Sequence, residues 1–146
     1  MIKILERLGV PRTLMLGFLA VAILMTGDGF ELTFLSKFMV DQGFTSSQAS
    51  LLVTVYGLFA AFGGWSAGVL AEMFGARKVM MFGACWWIGV HLLFLGIAIP
   101  SHIYPLILCL YAMRGIGYPL FIYSFVVLMA QYISPSRLAS ATGFFW

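Results

Sequence analysis

Two acidic residues lie within the first long apolar stretch of this sequence. Asp28 and Glu31 follow an apolar run at 14–25 and precede a second one at 32–35. Placing a carboxylate in hydrocarbon costs several kcal/mol, about 2.5–3.5 for Asp at the centre of a membrane helix on insertion scales. Residues three positions apart share one face of a helix. We therefore expect both carboxylates to point toward a partner, toward water or toward a proton.

Other polar residues are predicted at a similar depth on other spans. With a rise of 1.5 Å per residue, Asp28 and Arg114 each lie about 5 Å from the centre of their span, displaced toward the outer side of the membrane. His91 lies near the midplane. Polar groups at one depth on different helices can form a water-filled cavity or a buried ion pair. Asp28 and Arg114 are then either a switch, a pair that separates to bind and release a proton, or a lock, a permanent ion pair that stabilises the bundle. His91 is either a cavity residue or a packing residue.

The composition indicates a membrane protein. Of the 146 residues, 62% are hydrophobic and only 9% are charged, whereas an ordinary soluble domain has about 25% charged residues. The net charge of +3 is explained by basic residues at the ends of spans, so we predict no nucleic-acid partner. Cys85 and Cys109 fall inside spans without the Cys–His spacing of a metal site. We expect no cofactor, no metal ion and no enzyme activity.

The apolar runs predict an all-α polytopic protein with four transmembrane helices and the start of a fifth. A capping-box pattern, Thr45 with Gln48, opens the second span. Residues 1–13 form a predicted cytoplasmic segment, and residues 14–146 form a partial transmembrane bundle. The predicted spans are about 14–35, 47–71, 79–99 and 104–133, with the start of the fifth at 139–146.

The positions of the basic residues predict the orientation. One side of the predicted bundle carries Lys3, Arg7, Arg12, Arg77, Lys78 and Arg137, and the other side carries Lys37. Cytoplasmic loops are enriched in Lys and Arg. We therefore predict a multi-pass protein of the inner (cytoplasmic) membrane with a cytoplasmic amino terminus.

A weak internal repeat links the first and fourth spans. The Gly-rich pattern at 25–36 reappears at 113–124, on spans that cross the membrane in opposite directions. Inverted repeats of this kind occur in transporters, whose substrate sites lie near the midplane where the repeats meet. The repeat therefore favours a transporter.

The loop between the second and third spans resembles the signature of the major facilitator superfamily. That signature is a Gly, an acid four residues later, a Gly three residues after it, and two basic residues. The matching residues, which the resemblance implies form a cytoplasmic gating motif, are Gly68, Glu72, Gly75, Arg77 and Lys78. The acid is Glu72 rather than the usual Asp, and Met73 replaces a usual basic residue. The gating ion pairs are therefore expected to be altered or weaker.

A narrower resemblance covers essentially the whole chain. The segments 25–32, 114–124 and 143–146 are similar to those of bacterial polyol permeases of the ribitol and arabinitol type. These permeases have twelve spans, so the resemblance implies that this chain is part of an amino-terminal six-helix half. The resemblance implies an alternating-access symporter that couples proton entry to the uptake of a small polyol or sugar.

Candidate roles follow from that resemblance. The proton-coupling candidates are Asp28, Glu31 and Arg114, with Asp28 preferred as the proton site. Polyols carry many hydroxyls and no charge, so their recognition needs hydrogen-bonding and aromatic side chains. The substrate-binding candidates are Phe30, Tyr118, Tyr123 and His91.

Two alternatives remain open from the sequence. The protein could be a proton-coupled symporter of a small organic acid, with Arg114 binding the anion. It could also be a four-span membrane scaffold or assembly subunit without transport activity. The expected partners of the transporter are a small-molecule substrate, protons, the lipid bilayer and the remaining transmembrane helices of the full-length protein.

Overall fold

The computed structural model describes residues 12–145, which form a bundle of helices. Lys3, Arg7 and Trp146, with most of the predicted segment 1–13, lie outside the described residues. The helices are α1 (Arg12–Asp41), α2 (Ser46–Phe74), α3 (Ala76–Leu93), α4 (Ile99–Ser101), α5 (Tyr104–Tyr132) and α6 (Pro135–Phe145). Four helical stretches are long and apolar enough to cross a membrane. The predicted all-α fold is therefore confirmed.

The third stretch differs from the prediction at its end. We expected it to end before Pro100, but the helix continues to Ser101. A π-helical turn, Phe94–Ala98, joins α3 to α4. This turn changes the hydrogen-bond register, and Pro100 then falls in the first turn of α4, where a missing N–H is tolerated.

The connections between the long helices are short and have defined caps. Thr45 and Gln48 form the predicted capping box at the start of α2, with the Thr45 N–H donating to Gln48 Oε1 at 2.9 Å. Gly75 separates α2 from α3 with a φ of 88°, which a residue with a side chain rarely adopts. These short connections make neighbouring helices antiparallel.

The central helix of the described bundle is α5. In its most apolar window 56% of the residues are buried, against 22% in the other three long stretches. Two glycines let it approach its neighbours closely. A Cβ atom at Gly115 would lie 2.6 Å from the Tyr56 carbonyl oxygen on α2, and one at Gly117 would lie 2.8 Å from the Trp87 nitrogen on α3. The residue beside them, Arg114, is therefore held between α2 and α3.

The helix α1 has a buried cluster at each end, and its acids lie between the two. Near its amino-terminal end the Phe18 ring lies 5.2 Å from the Phe125 ring of α5. Near its carboxyl-terminal end Leu35 and Met39 join a second apolar cluster with Leu52 of α2. Apolar packing at both ends thus positions the middle of α1, where the acids reach toward α5.

The close approach of α2 and α5 gives a first prediction. Gly115→Ala in the full-length protein should lower the free energy of unfolding by about 1–3 kcal/mol, the usual cost of overpacking, because the new methyl group meets backbone rather than a flexible side chain. The thermal unfolding midpoint in detergent would measure this.

The matched control is Gly89→Ala, on a helix position where the added Cβ would meet no atom of a neighbouring helix within 4 Å. Gly89→Ala should leave the midpoint unchanged or raise it slightly, since Ala favours helix over Gly. Equal midpoints for the two variants would contradict a tight α2–α5 contact.

Candidate functional site

Of the two arrangements expected from the sequence, the structure has the buried ion pair, and this pair includes both acids. Arg114 is fully buried, with 0% of its surface exposed. Its Nη2 donates a hydrogen bond to Asp28 Oδ1 at 2.8 Å, and its Nη1 donates to Glu31 Oε1. The depth match and the shared helix face predicted from the sequence therefore bring all three side chains together. One guanidinium on α5 holds two carboxylates from α1.

Aromatic side chains from three helices surround this guanidinium. Its carbon Cζ lies 4.6 Å from the centroid of Trp87, 5.5 Å from that of Tyr111 and 5.7 Å from that of Tyr56. Faces of aromatic rings attract cations, most strongly where water is excluded. The Tyr56 hydroxyl also donates to Asp28 Oδ1 at 3.2 Å. The aromatic residues thus stabilise the cation and supply one of the carboxylates with a further donor.

These three aromatic residues were not among the candidates predicted from the sequence. Each is one aromatic residue among the many in apolar spans, and nothing in its local sequence distinguishes it. Only Tyr111 shares a helix with Arg114, and Tyr56 and Trp87 lie on α2 and α3. Their contribution is visible only when the helices are placed side by side.

A histidine from α3 lies beside one of the acids. His91 Nδ1 is 3.7 Å from Glu31 Oε2, and the His91 ring stacks on the Trp87 ring with centroids 5.2 Å apart. Within residues 12–145, this buried nitrogen has no hydrogen-bond partner. His91 therefore borders the charged cluster without being fixed by a hydrogen bond.

The formal charges of the cluster do not balance. Two ionised carboxylates and one guanidinium leave one negative charge, and isolated charges are costly in a low-dielectric interior. One proton, on either acid or on His91, would make the cluster neutral. The arrangement can therefore bind and release a proton, which is chemistry that a simple one-to-one ion pair lacks.

Two predicted substrate-binding residues line a common cavity. The cavity, between α2 and α5, has a volume of about 450 Å³, within the range of about 300–1,000 Å³ for small-molecule sites. Tyr118 and Tyr123 lie on its α5 side, and Trp65 lies on its α2 side. Hydroxyl groups and an indole ring suit a ligand that is neutral and rich in hydroxyls.

The other two predicted substrate-binding residues lie elsewhere. Phe30 is 63% exposed and stacks on Phe34, one turn along α1, with ring centroids 6.4 Å apart. His91 lines a separate groove between α1 and α3, together with Glu31. The structure therefore joins Tyr118 to Tyr123 but places neither Phe30 nor His91 in their cavity.

The residues of the predicted gating motif lie at the turn between α2 and α3. Glu72, Arg77 and Lys78 are exposed, and Gly75 has the positive φ of the turn. No Cβ contact would form at Gly68. Among residues 12–145, no salt bridge involves Glu72, Arg77 or Lys78.

The described residues offer no site for a metal ion. Within the range 12–145 no group of three or more His, Cys, Asp or Glu residues is placed to hold one. Asp28 and Glu31 instead contact the guanidinium of Arg114, which supplies a positive charge there.

Comparisons with known proteins agree on a family. Residues 16–145 match the sequence profile of the Major Facilitator Superfamily. The chain is 46% identical to a ribitol transporter of Klebsiella pneumoniae over 94% of this chain and 32% of that protein. It is 45% identical to a D-arabinitol transporter of the same organism, over 95% of this chain and 33% of that protein.

A further relative is named for an organic acid rather than a polyol. The chain is 40% identical to an alpha-ketoglutarate permease of Bacillus subtilis, over 99% of this chain and 33% of that protein. The chain thus spans about one third of the length of the curated relatives it matches. No solved structure matches it at a significant level.

The shared guanidinium gives a second prediction. Arg114→Gln in the full-length protein should destabilise it by about 3–5 kcal/mol, because two buried carboxylates lose their cation. The loss should be smaller at low pH, where the carboxylates can be protonated. Thermal unfolding in detergent at two pH values would measure both effects.

A triple variant tests the physical reason. Asp28→Asn and Glu31→Gln combined with Arg114→Gln should recover part of the lost stability, since no unpaired charge remains. The exposed Arg137→Gln is the control for loss of any arginine. If Arg114→Gln unfolded at the same temperature as Arg137→Gln, the cluster would not support the fold.

Proposed function

This chain belongs to the Major Facilitator Superfamily, and we propose that it is part of a secondary active transporter that couples proton entry to the uptake of a small polyol. The observation that carries the proposal is the buried Arg114 shared by two carboxylates of another helix. Membership of the family supports a transport function, and the unbalanced charge of this cluster supports the proton as the coupling ion.

The coupling would work through the contact between α1 and α5. In one state of an alternating-access cycle, Arg114 contacts both acids and favours their ionised forms. In another state, α5 shifts relative to α1 and the guanidinium leaves one acid, which then takes up a proton because an unpaired carboxylate is costly in hydrocarbon. Proton binding and helix movement would thus each favour the other.

A neutral, hydroxyl-rich substrate is favoured by two observations. The relatives that are 46% and 45% identical are named for ribitol and D-arabinitol. In addition, the cavity of about 450 Å³ beside Tyr118 and Tyr123 combines hydroxyl donors with an aromatic ring. The substrate would accept and donate hydrogen bonds there, near the cluster on the same helix.

We also propose the orientation with the amino terminus in the cytoplasm of a cell bounded by an inner membrane. The exposed Arg77 and Lys78 lie at the α2–α3 turn, and the exposed Arg137 lies in the first turn of α6. At the other end of α1, Lys37 is paired with Asp41 at 2.9 Å. The positive-inside rule then assigns the α2–α3 turn to the cytoplasm.

A second candidate function is proton-coupled transport of a small organic acid. The alpha-ketoglutarate permease, 40% identical to this chain, favours it. Arg114 could contribute to binding of an anion only if that anion displaced Asp28 or Glu31, because the guanidinium already contacts both carboxylates. The geometry therefore favours the polyol, and the family favours transport over a scaffold function.

A third prediction tests proton coupling in the full-length protein. Asp28→Asn and Glu31→Gln each keep the size of the side chain and remove its charge. At least one of them should lose accumulation of substrate against a gradient and retain substrate exchange, since exchange needs no net proton movement. Uptake into proteoliposomes with and without an imposed pH gradient would separate the two activities.

The control is Asp41→Asn, an exposed acid paired only with its neighbour Lys37 in the described part of the chain. This variant should accumulate substrate as the unmodified protein does. If both Asp28→Asn and Glu31→Gln still concentrated substrate against a gradient, neither acid would be the coupling site.

A fourth prediction concerns the substrate. Ribitol or D-arabinitol should compete for uptake better than alpha-ketoglutarate does, and Tyr118→Phe should raise the half-saturating polyol concentration about fivefold, as expected for one lost hydrogen bond of about 1 kcal/mol. Tyr132→Phe, outside this cavity, is the control. Strong competition by alpha-ketoglutarate alone would favour the organic-acid function instead.

A further inference from the structure

We propose that His91 relays the proton to Glu31, so that Glu31 rather than Asp28 is the acid that carries it. This inference rests on the proposed function, because it assigns a route and a carrier to the same coupling site. Its basis is the placement of His91 and Glu31 together on an open groove, where His91 was expected as a substrate-binding residue or a packing residue.

The two acids have different surroundings. Asp28 is the more buried, with 8% of its side-chain surface exposed against 18% for Glu31. Apart from Arg114, the partner of Asp28 is the hydroxyl of Tyr56, a group that keeps its proton at neutral pH. Glu31 has His91 beside it in addition to Arg114, and Asp28 and Tyr111 are also near it. Imidazole is the side chain that gains and loses a proton between about pH 5 and 8.

Glu31 lies on a groove whose lining does not include Asp28. A groove of about 350 Å³ between α1 and α3 has Glu31 and His91 in its lining. The rest of the lining is apolar, formed by Phe34, Leu35, Phe38, Phe94, Leu95 and Ile99. Within the described residues, the polar part of this groove is therefore an acid beside an imidazole.

The geometry suits a transfer between these two groups. Glu31 uses Oε1 for Arg114 and directs Oε2 toward His91 Nδ1, 3.7 Å away. The nitrogen is buried and has no hydrogen-bond partner among residues 12–145. A shift of less than 1 Å would bring the pair within hydrogen-bond distance. Hydrogen bonds that transfer protons are often long in a protein without its substrate.

Charge balance limits the cluster to one transferable proton. Among the described residues, the charged groups beside His91 are Glu31 from α1, 3.7 Å away, and Arg114 from α5. Asp28, Tyr56 and Tyr111 in turn contact Arg114. With His91 protonated and both acids ionised, the cluster is neutral. When the Nδ1–H bond breaks and an O–H bond forms on Glu31, the cluster is still neutral.

The transfer therefore moves a proton without creating an unpaired buried charge. Trp87 supports this arrangement, because its ring contacts both the guanidinium and the imidazole. The π-helical turn Phe94–Ala98 begins three residues after His91, and such turns are frequent at functional sites.

The test uses the full-length protein in proteoliposomes with ribitol or D-arabinitol. His91→Gln keeps a polar side chain that cannot titrate, and His91→Phe keeps a ring to stack on Trp87. Both should lower uptake driven by a pH gradient at least about tenfold, remove its pH dependence between about pH 5 and 8, and leave exchange unchanged. Glu31→Gln should behave in the same way.

The control is His102→Asn, at the other histidine of the chain. His102 lies between α4 and α5 with a φ of 53°, a conformation that Asn tolerates. This variant should keep the pH profile of the unmodified protein. It separates the loss of a relay from the loss of any histidine.

Each other outcome contradicts either the relay alone or the relay together with the proposed function. If the unmodified protein is proton-coupled and His91→Gln or His91→Phe keeps its pH profile, the relay is wrong and the proposed function stands. If accumulation and exchange are lost together in both His91 variants, the histidine has a structural role and the relay is wrong. If the unmodified protein shows no coupling with any polyol or with alpha-ketoglutarate, the proposed function and the relay both fail.

Discussion

The described structure depends on one buried cation, the guanidinium of Arg114. It is fully buried within a helix of membrane length, so water cannot stabilise its charge. Two carboxylates from α1 and aromatic rings from α2, α3 and α5 take the place of that water. Because all four long helices contribute, the charge orders the bundle at its middle in a way that apolar contacts, which lack direction, cannot.

The backbone around Arg114 makes this possible. Gly115 and Gly117 let α5 lie directly against α2 and α3, so the aromatic side chains Tyr56 and Trp87 come within cation–π distance of the guanidinium. In a membrane, helices gain little by hiding apolar surface from lipid, and close backbone packing with polar contacts holds them together. The small residues therefore allow the close helix packing that the buried charge needs for its aromatic contacts.

The sequence predicted the pairing of polar groups better than their surroundings. The i, i+3 spacing of Asp28 and Glu31 and the matched depth of Arg114 predicted either a water-filled cavity or a buried ion pair, because a straight helix in a bilayer converts residue number into depth. The structure has the ion pair. The residue number does not show how a helix is rotated about its own axis, and so it does not show which side chains face the neighbouring helices. Phe30, two residues from Asp28, therefore turned out to be exposed on α1.

The limits of sequence reasoning also show at His91 and at Pro100. The depth of His91 was predicted, but its neighbour was not, since that depends on how α3 turns toward α1. Pro100 was expected to end the third span, yet a π-helical turn shifts the register and lets the helix continue. Such a turn depends on the hydrogen bonds of the assembled helix rather than on one residue.

The number of acids distinguishes a cluster that can bind a proton from an ion pair that only stabilises the fold. A lock needs only one carboxylate, because one carboxylate neutralises one guanidinium. Here a second acid is present within the same contact, and it adds a buried negative charge whose cost falls when a proton binds. A cluster with two acids and one cation is therefore neutral only with a proton. In the proposed function, this need for a proton would link the contact between α1 and α5 to a pH gradient.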